Sequence, residues 1–140
     1  MCLKISDGYT NELGQWMRGQ PGGEAAFWKM VDEEGRNPFG FIGPTYYRQG
    51  QVVEAEGEID VRRSVRDSWS QEGGGLHVFC RKEDADILAS AMGCKVIRVM
   101  GNERDLIYGG VAWAVSESLR DDVPCATFRK VRVPSGQVER

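Results

Sequence analysis

His77 is the sole histidine of the chain, and it stands three residues before Cys80 in Gly75-Leu76-His77-Val78-Phe79-Cys80. Imidazole is the usual general base or metal ligand near neutral pH, and thiolate is a common zinc ligand. In a strand, however, residues three apart point to opposite faces. His77 and Cys80 therefore cannot share an ion, and Cys94 does not complete a closed four-ligand set with them. A histidine hydrogen-bonded at the edge of the core fits these residues best. Cys2 follows the initiator Met1, the position of a nucleophile activated by its own α-amino group. Cys2-Leu3-Lys4-Ile5 nevertheless reads as a short edge strand. No catalytic residue, metal site or cofactor is predicted.

The strongest charge pattern is Glu54, Glu56, Glu58 and Asp60, which alternate with Val53, Ala55, Gly57, Ile59 and Val61. Period two predicts a half-buried strand over 53–61 with four acids on its solvent face. Alternate residues lie about 7 Å apart, close to the phosphate spacing along one DNA strand, as a DNA-mimicking inhibitor would need. The plainer use is a solvated face opposed by Arg129, Lys130 and Arg132 on a neighbouring strand. A polar loop carrying Asn102, Glu103, Arg104 and Asp105 follows the strand over 95–100, and such loops commonly hold binding residues. Glu54, Glu56, Glu58, Asp60, Asn102 and Arg104 are the predicted partner-binding residues. An alternative ligand site draws on His77, Arg48, Tyr46 and Trp69, with Trp28, Tyr46 and Trp69 as an aromatic pocket for a small nucleotide. No G-x-x-x-x-G-K-[ST], G-x-S-x-G or H-E-x-x-H spacing occurs.

The elements that must position these residues are short, because glycine clusters at 22–23, 73–75 and 109–110 punctuate the chain. Residues 26–31 and 39–42, joined by turn-forming residues, predict a β-hairpin. Residues 9–18 give no decisive period. After Gly75 a strand over 76–79 leads to a helix over 82–92, with Ala85, Leu88, Ala89 and Met92 as its apolar stripe and Gly93 as its left-handed terminator. The strand over 95–100 then completes a β-α-β unit. Residues 111–119 fit strand or helix alike, 126–133 is a terminal strand, and the tail 134–140 is expected to be mobile. The fold class is α+β, a single domain over 1–140, with a small mixed, mostly antiparallel sheet and one main helix.

Composition bounds the partners. The 140 residues suit one domain, and a net charge of −3 leaves no basic footprint for direct nucleic-acid binding. No apolar run is long enough to span a bilayer, so no membrane partner is expected. The N-terminus lacks the apolar core of a signal peptide, which predicts a cytoplasmic protein with its four cysteines reduced.

The order of a hairpin around Phe27-Trp28-Lys29-Met30-Val31, then Gly50-Gln51-Val52-Val53-Glu54-Ala55-Glu56-Gly57, then Gly75-Leu76-His77-Val78-Phe79 resembles small accessory proteins of bacteriophages, prophages and other mobile elements. The likeness covers about residues 26–100. It implies a non-catalytic protein that binds a protein of the phage or its host, in one form to block a host defence system, in the cytoplasm of that host. His77 through Met100 is also similar in outline to ADP-ribosyltransferase-like folds. That likeness implies an NAD-using cleft beside His77, for which Arg48 and Glu117 are the available arginine and glutamate.

Overall fold

Ser6 separates the first strand from the first helix. Its hydroxyl accepts the Tyr9 N–H at 3.2 Å, and Asp7 stands in the first turn, so strand β1 (Leu3–Ile5) gives way to helix α1 (Asp7–Arg18). Gly8 and Gly14 weaken the helical signal of this stretch. Tyr9, Leu13 and Met17, four residues apart, nevertheless form a stripe, and Leu13 and Met17 are buried. The expectation of one main helix is thus corrected to two. The structure, a computed structural model, describes residues 3–38, 45–63, 69–112 and 123–137.

Helix α2 (Lys82–Met92) lies where its sequence signals place it. Gly93 adopts φ 68° and ψ 30°, and its N–H bonds to the Ala89 carbonyl. Ala85, Leu88 and Ala89 are buried, but Met92 is 43% exposed because it falls in the last turn, beyond the sheet.

The remaining strands are β2 (Glu24–Val31), β3 (Val52–Glu54), β4 (Asp60–Arg63), β5 (Trp69–Gly73), β6 (Leu76–Phe79), β7 (Lys95–Asn102), β8 (Leu106–Ala112), β9 (Pro124–Phe128) and β10 (Lys130–Arg132). They form one sheet in the order β3-β10-β7-β2-β6-β9-β8-β1-β5-β4. Every pairing is antiparallel, so the class is α+β as expected while the sheet is larger and less mixed. Although α2 joins β6 to β7, those strands are not neighbours. β2 lies between them, antiparallel to both.

Chain geometry forces this sheet to roll. Phe128 and Lys130 are two residues apart, roughly 7 Å at full extension. In sheet order, β7, β2 and β6 separate their strands, roughly 19 Å if the sheet were flat. Only curvature brings β9 and β10 together, and the expected continuous strand over 126–133 breaks at Arg129 for that reason. The concave side holds one core, including Phe27, Val78, Val99, Phe128 and Val131. The Phe27 and Phe128 rings lie 4.9 Å apart, and Gly101 leaves the room that Phe128 needs: a Cβ there would come within 2.7 Å of its ring. A second core, with Met30, Phe79, Leu88, Ala89 and Cys125, packs α2 on the outer side.

The strand expected over 53–61 is two strands. Gly57 turns the chain at φ +83°, and Ile59, expected to face the sheet, is 38% exposed. Residues 55–59 instead bridge β3 and β4, the two ends of the sheet. Of the expected hairpin, 39–42 falls outside the described residues, and the strand neighbours of β2 are β7 and β6. Cys2 and residues 113–122, Glu117 among them, also lie outside the description. In the tail, the Gln137 side chain accepts the Arg98 N–H at 2.7 Å and donates to the Arg98 carbonyl at 2.8 Å.

Candidate functional site

One recess takes lining residues from both segments singled out by sequence, Glu54 from the acidic row and Asp105 from the 102–105 loop, whereas Glu56, Glu58, Asp60, Asn102 and Arg104 are not in its lining. Its backbone is fixed from several sides. Ala55 N–H donates to the Arg129 carbonyl, and Arg129 N–H donates to the Asp105 carbonyl, each at 2.8 Å. Gly74, at φ +82°, packs so closely on the Glu58 carbonyl that no side chain fits between them. The resulting recess, about 290 Å³, is lined by Glu54, Gly57, Asp105, Arg129 and Lys130 among others. Lys130 stands directly across from Glu54 in the β3–β10 ladder. Arg132, the other cation expected to answer the acids, bonds Glu24 at 2.6 Å instead. Glu56 and Glu58 are exposed.

The 102–105 loop divides its labour. Asn102 is spent on the loop itself: its amide donates to the Gly22 carbonyl at 3.0 Å, and its carbonyl oxygen accepts the Arg104 N–H at 3.2 Å. Arg18 donates to Glu103 at 2.8 Å, tying the loop to α1. The Arg104 side chain projects into solvent, 3.8 Å from Asp105.

The alternative ligand residues do not converge. Trp28 is on β2 and Trp69 on β5, with β6, β9, β8 and β1 between them in the sheet. Trp69 is 52% exposed. Tyr46 is stacked under the Arg48 guanidinium, 4.9 Å from its ring centre. Three aromatics on separate elements make no common pocket.

His77 is half-buried as a residue, but its Nδ1 is enclosed and has no hydrogen-bond partner among the described residues. The expected core-edge position holds, and at Nδ1 the expected hydrogen bond is not made to any described residue. Burial, with the Lys29 charge adding to it, pushes its pKa down to about 3, so the ring is neutral at physiological pH. Lys29 is the residue that sequence reasoning missed. It shares the inward face of β2 with Phe27 and Val31 and is only 5% exposed. Its ammonium donates to the His77 carbonyl at 2.9 Å and lies 5.4 Å from the centre of the Tyr47 ring. Burial pulls its pKa down to about 8. A lysine at an apolar position of a strand was a legible signal.

Among the described residues, Cys80 and Cys125 are held as thiols. Tyr9 donates its hydroxyl to Cys80 Sγ at 3.3 Å, and burial pushes Cys80 up to about 11 against the opposing pull of Tyr9 and Arg81. Burial likewise raises Cys125. Both are protonated near pH 7, whereas the nucleophile is the thiolate. Cys80, Cys94 and Cys125 are free, and among the described residues no group of three or more His, Cys, Asp or Glu side chains is placed to hold a metal. No helix of the described residues is long and apolar enough to cross a membrane.

Compared with family models, with characterised proteins and with solved structures, the chain finds no match.

Proposed function

We propose that the chain is a non-catalytic accessory protein that acts by binding another protein, and that the recess at 54–60 and 102–105 is its docking surface. The observation that carries this is the convergence of the two segments on backbone held rigid by Gly74 and by the Arg129 hydrogen bonds. A charged surface that is already ordered loses little entropy on binding, which raises affinity for a given set of contacts. Glu54, Glu56, Glu58 and Asp60 select a partner with a basic surface, and charge of this kind governs association rate and partner choice more than raw affinity. The likeness to phage and prophage accessory proteins supports a partner of the host cell, with interference in a defence system as the biological form and the host cytoplasm as the location.

The test is capture from a host lysate with mass-spectrometric identification, repeated with Glu54, Glu56 and Glu58 changed to glutamine. The partner should be retained by the natural chain and lost by the triple variant. Equal capture by both would remove Glu54, Glu56 and Glu58 from the docking surface.

A further inference from the structure

We infer that the chain carries a second site, separate from the recess at Glu54 and Asp105, that binds a planar aromatic anion of the nucleoside monophosphate class. It is the open groove between α2 and the β2–β7 ladder, about 580 Å³, within the size range of small-ligand sites. Trp28 stands in it as a half-buried aromatic wall. Two cations flank Trp28 from different elements. Arg98 is directly across from Trp28 in the ladder, so the two side chains lie side by side on one face of the sheet. Lys82, from the first turn of α2, holds its ammonium 5.9 Å from the centre of the Trp28 ring.

The electrostatics of the groove favour an anion. Asp86 is the only carboxylate among its described lining residues, and it is engaged with Lys82 at 2.8 Å. Both side chains of that pair are about half exposed, and such pairs are worth at most about 1 kcal/mol, so a phosphate can compete for Lys82. The Arg98 guanidinium has no ion-pair partner among the described residues. Its backbone is nevertheless pinned on both polar groups by Gln137. An arginine on fixed backbone loses less freedom when it grips a phosphate. Ser90 and Cys94 complete the polar rim. A base stacked on Trp28 with its phosphate between Lys82 and Arg98 uses the aromatic face, both cations and the hydroxyl together. The chain's net charge of −3 favours a single nucleotide over a polymer.

Calorimetric titration of the full chain with the four ribonucleoside monophosphates tests this, with nucleosides, inorganic phosphate and an oligoribonucleotide in parallel. At least one monophosphate should bind more tightly than its nucleoside or phosphate alone. Arg98→Gln and Lys82→Gln should each weaken it by about tenfold or more, the scale of a charged hydrogen bond. Both residues are exposed, so these variants keep the fold; Trp28→Phe should weaken binding while keeping most of the packing. Absence of binding by every monophosphate overturns the inference. So does affinity unchanged in both charge variants, or binding of the oligoribonucleotide alone.

Discussion

The interior of the rolled sheet and the recess at its two ends treat charge in opposite ways. Inside and beneath α2 lie the residue types that enzymes use: Lys29, His77, Cys80 and Cys125. There burial works against ionisation, drawing Lys29 down to about 8 and His77 to about 3 while raising Cys80 to about 11. At the recess Glu54, Glu56 and Glu58 stay in water, on backbone fixed by neighbours. The difference teaches that residue type alone does not set charge in this chain: position relative to water does.

Phe128→Ala should have the largest effect, because Phe128 is fully buried at the strand junction where the sheet rolls. Removing a buried phenyl ring costs about 4 kcal/mol, read as a lower urea midpoint. A loss under about 1 kcal/mol would mean that the interior is not closely packed there. His77 offers the next largest. Its folded pKa lies below the ordinary 6.5, so on acidification the unfolded chain takes up the proton first. Its contribution is complete above about pH 6.5 and is lost as pH falls toward 3. Between pH 6.5 and 4.5 the loss is about 2 kcal/mol relative to His77→Gln. Parallel stability curves for the two proteins over that range would place the ring in water.

What was legible in the sequence was local. The helix over 82–92 announced itself through its acidic first turn, its apolar stripe and Gly93, all set by neighbours in the chain. The strands beginning at Leu76 and Lys95 were visible for the same reason. Neighbour order was not, because β2 enters between β6 and β7 from fifty residues upstream of either, or more. The alternation over 53–61 misled for a related reason: Gly57 permits a turn that only the closure of the sheet demands. Helix α1 hid behind Gly8 and Gly14, although Ser6 and the Tyr9, Leu13, Met17 spacing marked it. The acids and the 102–105 loop were found separately as surface features. Their meeting at Arg129 depends on the roll, which no local pattern encodes.

Lys29 sharpens the contrast from the basic side. Its folded pKa, about 8, lies below the ordinary 10.5, so between these values the unfolded chain binds more protons. The burial penalty is fully present below pH 8 and is relieved as pH rises toward 10.5. Relative to Lys29→Met, the natural chain should gain about 1.5 kcal/mol between pH 8 and 9.5. The variant should also be the more stable of the two at pH 7, provided the methionine fills the space beside Tyr47. Denaturation series at matched ionic strength measure both. A natural chain that gains nothing over this interval would put Lys29 in contact with water, and the interior would no longer differ from the recess.

The smallest effect on the fold belongs to the recess itself. Changing Glu54, Glu56 and Glu58 together to glutamine removes three negative charges but no buried contact. Glu54 is exposed and stands across from Lys130 in the ladder, and charge pairing at such a surface contributes little. Stability should therefore stay within about 0.5 kcal/mol of the natural chain at moderate salt. Association with a basic partner should slow, and the slowing should shrink as salt screens both proteins. If these acids were structural, the variant would instead unfold at distinctly lower urea whether or not a partner were present.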